Sequence, residues 1–250
     1  MPLHNPAQIP SQSDHPSQSA TTTISASAAV TALRDASDPC DLLAALFRIT
    51  RAFGARASAC VHVVPDPERA PQLFVLLACE PERAYSHLQH ESALDHPWLR
   101  YARAHSEPVW AASLQPAYPA ENNPVPVLIV PTHSGGLTGR FGALMLEMAA
   151  GDCGSSESSE QRVLAEGVAH ALHDWWMRRT RAELQREARL RSADLHLLDL
   201  ERQGLASKQI ARLLDSTVLA VDSRFQRINA KLGVANRRHA ALRAAIHGLL

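Results

Sequence analysis

The chain has no net charge: 25 Lys and Arg balance 25 Asp and Glu, beside 13 His, over 250 residues. It has no run of eighteen apolar residues, so no membrane-spanning helix can be read. Its opening MPLHNPAQIPSQSDHPSQSATTT has neither a basic segment nor an apolar one, so no secretory signal can be read either. These absences predict a cytoplasmic protein with no membrane partner. Cysteine is scarce and scattered, at Cys40, Cys60, Cys79 and Cys153, with no C-x-x-C pair and no clustered His. That spacing argues against a zinc site and predicts reduced, partly buried thiols. H-E-x-x-H and H-x-E…P-C-x-x-C are absent as well, which disfavours metalloenzymes. No cofactor is expected, and no nucleophile, base and orienter arrangement points to an enzyme.

What is there begins with 46% hydrophobic residues, enough to core one large domain or two modest ones. The neutral total hides an asymmetry. From Arg178 to Leu250 there are 15 basic and 7 acidic residues, a net of +8; the preceding 177 residues hold the other 10 basic and 18 acidic, a net of −8. A basic C-terminal third on an acidic body points to a polyanionic partner for that third, although a solvated helical surface gives a milder version of the same bias.

Residues 1–37 are rich in Ser, Thr, Pro, Gln and Ala, cannot offset chain entropy by burial, and are expected to be a disordered leader. In DPCDLLAALFRITRAFG, the residues Leu42, Leu43, Leu46, Phe47 and Phe53 form a helical stripe that ends at Gly54. ACVHVVPDPERAPQLFVLLAC reads as a hairpin or a pair of neighbouring strands, PERAYSHLQHESALDHPWLRYARAHSEPVW as helices broken by Pro97 and Pro108, and PVPVLIVPTHSGGLTGRFGALMLEMAA as two more strands. The GGLTGRFG stretch lacks the Lys and Ser/Thr of a phosphate-cradling loop and reads as a turn. SSESSEQRVLAEGVAHALHDWWMRRTRAEL should be a long Ser-capped helix, with one of the adjacent Trp175 and Trp176 buried and the other available for a contact. The expected fold class is α+β: an N-terminal α/β/α sandwich over 38–178, then an all-α four-helix unit over 191–250, with 179–190 as a charged linker or helical extension.

Four short helices are expected at about 192–203, 207–215, 217–232 and 236–248, with Gly204 ending the first and Ser207, Thr217 and Asn236 capping the others. The short LLDSTV connection fits a helix-turn-helix. In VDSRFQRINAKLGV, residues Val221, Phe225, Ile228 and Leu232 recur at steps of 4, 3 and 4 and should face Ile210, Ala211 and Leu214. That seam leaves Ser223, Arg224, Arg227, Ala230 and Lys231 outside, with Thr217 and Ala220 at the start. Lys208, Thr217, Ser223, Arg224, Arg227 and Lys231 are the candidate DNA contacts, since charged donors on such a face pair with phosphate or guanine edges.

The segment LERQGLASKQIARLLDSTVLAVDSRFQRINAKLGVANRRHAALRAAI resembles the DNA-binding domain of LuxR-type transcription regulators. The residues that carry the resemblance are Gly204, Ile210-Ala211, Leu214, Ala220-Val221, Lys231-Leu232-Gly233-Val234 and Asn236-Arg237. The chain departs from the pattern at Gln209, where Glu is usual, at Ala220, where Thr is usual, and at Arg224, where His is frequent. Asp222 is unusual beside DNA. Upstream, LDHPWLRYARAHSEPVW and IVPTHSGGLTGRFGALMLEM resemble the autoinducer-binding domains of the same family, through Asp95, Pro97, Pro108, Trp110 and Gly142. His96 is inserted after the Asp, and the stretch before it offers Tyr85 with no Trp.

The resemblance implies a sensor pocket for an acyl-homoserine lactone or similar small apolar signal. Asp95 would be the acceptor for an amide N–H and Trp110 a wall, with Tyr85 and Trp98 as further ligand contacts. Read from the residues alone, Asp95 is equally a helix cap ahead of Pro97, and Trp98 and Tyr101 are core or rim. The resemblance also implies double-stranded DNA as partner, a homodimer, and contact with RNA polymerase or heterodimerisation with another LuxR-type regulator. The alternative is a ligand-independent orphan regulator, or an antagonist that sequesters a partner regulator.

Overall fold

The computed structural model describes residue 28 and residues 30–79, 93–114, 126–134, 139–148 and 159–250. Tyr85, Cys153, most of the expected leader, the tip of the glycine-rich turn and the Ser run before residue 159 lie outside the described residues. Among those described, no helix is long and apolar enough to cross a membrane.

Order starts earlier than the composition implied. Residues 30–35 are helical, with Leu33 fully buried. Helix α1 (Pro39–Ala52) follows, capped by Asp38, whose carboxylate accepts from the amides of Cys40 and Asp41. Pro39 occupies the first turn, where its missing N–H costs nothing. Leu42, Ala45, Leu46 and Ile49 face inward, whereas Phe47, turned about 100° from Leu46, stays 40% exposed.

Strand β1 (Ala55–Val64) pairs with β2 (Gln72–Ala78) on one side and β5 (Phe141–Met148) on the other; β5 pairs with β4 (Val127–His133), and β4 with the short β3 (Val109–Trp110). All pairings are antiparallel, in the order β2-β1-β5-β4-β3. Alternation along the strands gives the sheet two apolar faces. Cys60, Leu128, Val130, Leu144 and Leu146 pack with α1 and the long helix α3 (Ser159–Ala188). Val61, Val63, Val127, Ile129 and Met145 pack with α2 (Pro97–Ala104). The sheet is therefore covered by helices on both sides.

Gly142 is where β5 crosses closest to its neighbours. A Cβ there would lie 2.8 Å from Thr132 Oγ1 and 2.8 Å from the Val61 carbonyl oxygen, so only glycine fits without backbone movement. Trp175 and Trp176 are both buried: Trp175 Nε1 donates to the Ala36 carbonyl at 2.7 Å, while Trp176 lies against Phe74 and His62. The residues expected as a linker continue α3 to Ala188, and Leu184 and Ala188 enter a second core. Four further helices complete that core: α4 (Ser192–Arg202), α5 (Ser207–Leu213), α6 (Val218–Leu232) and α7 (Arg237–Ile246).

Candidate functional site

Helix α6 is set by its own ends. Thr217 Oγ1 accepts from the Ala220 amide at 3.1 Å and caps the start, and Gly233, at φ 64°, closes the finish in the left-handed conformation. Between them Val221, Phe225, Ile228 and Leu232 are buried against Ile210, Ala211 and Leu197, each worth about 2 kcal/mol by area removed from water. This seam turns Leu219, Ser223, Gln226, Arg227 and Ala230 to solvent.

The candidate DNA contacts divide into two sets. Lys208, Thr217, Ser223 and Arg227 are exposed. Arg224 and Lys231 reach across to α4: Arg224 Nη2 donates to the Ala193 carbonyl at 3.3 Å, and Lys231 Nζ donates to Asp194 Oδ2 at 2.8 Å and to the Arg189 carbonyl at 3.2 Å. Burial alone would push the Asp194 carboxyl up, but hydrogen bonds from Lys231 and the Arg191 amide hold it below its ordinary value. These two cations therefore tie α6 to α4 and to the turn before it.

Asp222, the carboxylate hardest to reconcile with a polyanion, has an internal task. Its Oδ1 accepts from Ser207 Oγ at 2.7 Å, and that hydroxyl accepts from Arg237 Nη1 at 2.6 Å. Arg237 also pairs with Glu201 at 3.0 Å and lies over the Phe225 ring, 5.5 Å from its centroid. The network runs from α4 through α7 to α5 and α6. Ser207, expected as a cap, is the first residue of α5 instead; Ala206 occupies the cap position, and its amide is satisfied by the Gln209 side chain at 2.8 Å.

On the α2 face of the sheet lies an apolar cavity of about 220 Å³. Ala57, Ala59, Val61, Val75, Leu77, Leu99, Val127 and Met145 make its walls, with Trp98, His96, Ser58, Cys79 and Glu147 as the wider or polar groups. At about 220 Å³ it is smaller than the roughly 300–1,000 Å³ of pockets that take drug-sized ligands, and it suits a small apolar group. Of the expected ligand contacts, Trp98 lines it. Asp95 ends a 3-10 turn (Ala93–Asp95) one residue before the lining His96, and His96 rather than Asp95 caps α2, its Nδ1 accepting from the Trp98 amide at 3.3 Å. Trp110 is on the opposite face, because its register partner is Leu128, and it packs toward α1 and α3.

A third polar cluster joins the sheet to the C-terminal helices, and the motif reading missed it. Arg140 is 1% exposed. Its Nη1 donates to the Ile246 carbonyl at 2.9 Å, and its Nη2 to Thr180 Oγ1 and to His62 Nε2, the latter at 3.4 Å. Ile246 is the last residue of α7, so the guanidinium sits at the negative end of that helix dipole. Since His62 Nε2 accepts from Arg140, its Nδ1 carries the proton and donates to His173 Nδ1 at 3.2 Å; His173 Nε2 then donates to Ser134 Oγ at 3.0 Å. Burial, and then the neighbouring His173 and Arg140, push His62 down to about 2. Burial and Arg140 push His173 and His247 down to about 4, so all three imidazoles are neutral at neutral pH. Burial lowers Arg140 to about 10, which leaves it charged. Beside this cluster, Glu68 of the β1–β2 loop accepts from the Ala235 amide at 2.7 Å and contacts His239 Nδ1 at 2.6 Å, and Asp66 lies 3.7 Å from Arg243. The only sequence signal for this junction was a lone Arg between two glycines at the mouth of an apolar strand.

No protein-family model and no curated protein matches the chain. Solved structures do match its fold. Escherichia coli SdiA superposes over 90% of this chain and 97% of that chain, with a TM-score of 0.68 at 14% identity. SdiA in complex with octanoyl-rac-glycerol covers 90% and 94%, with a TM-score of 0.69 at 15% identity. CepR2 from Burkholderia cenocepacia, described as an N-acylhomoserine lactone dependent LuxR family transcription factor, covers 64% of this chain and 97% of its own, with a TM-score of 0.52 at 15% identity. In fold, this chain is similar to these three structures.

Proposed function

We propose that the chain is a DNA-binding transcription regulator of the LuxR type, acting as a homodimer, whose sheet-containing part receives a small apolar signal. The observation that carries this reading is the pair α5–α6. A capped helix is braced from behind by Arg224, Lys231 and the Asp222 network, and it holds Ser223, Gln226 and Arg227 free on its outer face. The net charge of +8 from Arg178 onward and the fold likeness over 90% of the chain support it. α6 would enter the major groove and α5 would cross the backbone. Trp98, His96 and the apolar walls of the cavity would take the signal, with Asp95 beside them and Tyr85 as a further contact. Filling that cavity would stabilise the folded dimer and so set the spacing of two reading helices.

The test is duplex DNA binding by the full chain, followed by anisotropy over a range of salt concentrations. Log affinity should fall linearly with log salt, and Arg227→Ala should weaken binding on every sequence and reduce the slope by about one. No salt-dependent binding would end the reading. Signal binding is tested separately by melting the protein with a ladder of acyl-homoserine lactones. A genuine ligand at one hundred times its dissociation constant adds about 2.7 kcal/mol. A chain that binds DNA but melts unchanged with every member is the ligand-independent regulator, a reading favoured by the placement of Trp110 away from the cavity.

A further inference from the structure

The outer face of α6 is poor in charge for a helix that meets a polyanion. Taking 100° per residue, Leu219, Ser223, Gln226 and Ala230 fall within about 60° of one another, opposite the buried Val221, Phe225, Ile228 and Leu232. Leu219 is 81% exposed, the most exposed large apolar side chain among the described residues. Val218 and Leu213 extend the apolar surface across the α5–α6 turn, at 43% and 63% exposure. A single exposed leucine needs no explanation. Two at the leading end of α6 and a third at the end of α5, in a stretch that also exposes the cations Lys208, Arg212 and Arg227, do. An anionic lipid surface would match the apolar residues and the cations, but it gives the Ser223 hydroxyl and the Gln226 amide on the same stripe no fixed donor and acceptor pattern to read. The major groove at a thymine matches all of it, because thymine presents a methyl group there, flanked by base-edge hydrogen-bonding groups and then phosphates.

We propose that Leu219 reads the 5-methyl group of a thymine and that Gln226 reads an adenine on the same helix face, making this chain selective for a thymine and an adenine set apart in each half-site. The inference rests on the reading of α6 as the groove-entering helix and goes beyond it to the bases recognised. Gln226 is seven residues beyond Leu219, about 10.5 Å along the axis at roughly 1.5 Å per residue. With the helix lying along the groove, that spans about three base-pair steps at roughly 3.4 Å each. Gln226 offers the donor and acceptor pair that matches adenine N6 and N7, and Ser223 between them accepts or donates as the intervening base requires.

The experiment selects duplexes from a random pool with the full-length protein, then replaces each thymine of the selected site in turn by deoxyuridine, which removes the methyl and nothing else. Binding is measured for the protein as it stands and for Leu219→Ala. At one thymine per half-site, deoxyuridine should weaken the unaltered protein about fourfold, the effect of losing one buried methyl-sized contact. It should leave Leu219→Ala indifferent. Gln226→Ala should relax selection at a position about three steps away. Leu219 is exposed and holds nothing in the core, so an unchanged melting temperature certifies the variant's fold. If the selected DNA binds but no thymine is sensitive to its methyl, or Leu219→Ala keeps the same sensitivity, the inference falls while the DNA-binding reading stands. If Leu219→Ala instead lowers the sedimenting mass and leaves the thymine dependence intact, the patch is a protein contact and the inference falls as well. Failure to bind any duplex removes both.

Discussion

Arg140 and Arg237 each tie several elements together through one guanidinium, yet their surroundings differ. Arg237 is half-buried, pairs with the Glu201 carboxylate, donates to Ser207 and covers the Phe225 ring, and all of its partners lie within the C-terminal helices. Arg140 is sealed, and its partners are a carbonyl, a hydroxyl and an imidazole contributed by α7, α3 and β1. Its Nε has no partner among the described residues, so the charge rests on the bonds made by Nη1 and Nη2, and leaving one more buried polar group unmatched costs about 1–3 kcal/mol. The first arrangement ties the C-terminal helices to one another. The second makes the docking of those helices onto the sheet conditional, because moving α7 away would strand the Arg140 charge.

The comparison breaks most directly with Arg140→Ala. It should cost about 3 kcal/mol, from the lost charge-assisted hydrogen bonds and the cavity, and should split a single melting transition into two as the parts uncouple. Arg237→Ala should lower stability by less and leave one transition; the reverse pattern in calorimetry would refute the assignment. Next in size, Gly142→Ala should cost about 2 kcal/mol in denaturant unfolding, since the added methyl must displace the Val61 carbonyl or Thr132. A neutral result would mean that β5 shifts freely.

Acid should act on the junction and spare the C-terminal platform. His62, His173 and His247 titrate in the folded protein at about 2, 4 and 4, below their ordinary 6.5. As pH falls through about 6.5 the unfolded chain binds protons that the folded chain refuses. Stability that is fully present above that pH is therefore lost toward pH 4, at up to about 1.4 kcal/mol per pH unit for each group. Denaturant midpoints at pH 7, 6 and 5 should fall accordingly and fall less steeply in Arg140→Ala, because Arg140 contributes to all three shifts. The smallest effect is expected for Asp222→Asn, which keeps an acceptor for Ser207 but removes the charge near Arg237. It should cost below about 1 kcal/mol, and its main result should be tighter DNA binding, through the loss of one like charge facing phosphate.

The C-terminal helices were legible because their signals are local. Thr217 and Asn236 cap, Gly204 and Gly233 stop, and the 4, 3, 4 spacing of Val221, Phe225, Ile228 and Leu232 names the buried side. The β1–β2 hairpin and the helix capped by Asp38 were legible for the same reason. The junction was not, since Arg140 and Ile246 are 106 residues apart and nothing local announces their contact. Leu184 and Ala188 sit in a charged stretch that looked like a linker, and only the second core reveals that they are buried. Trp110 shows the same limit in the sensor region: its face depends on register with Leu128, which spacing from Asp95 does not determine.

The central claim is that α6 is the element that enters the groove. The most direct measurement replaces the thymines of a selected duplex by 5-bromodeoxyuridine, irradiates the complex with the full-length protein, and maps the cross-linked peptide by mass spectrometry. The account predicts cross-links in the tryptic peptide Leu213–Arg224, which holds Leu219 and Ser223. Cross-links confined to the sheet or to α7 would contradict it.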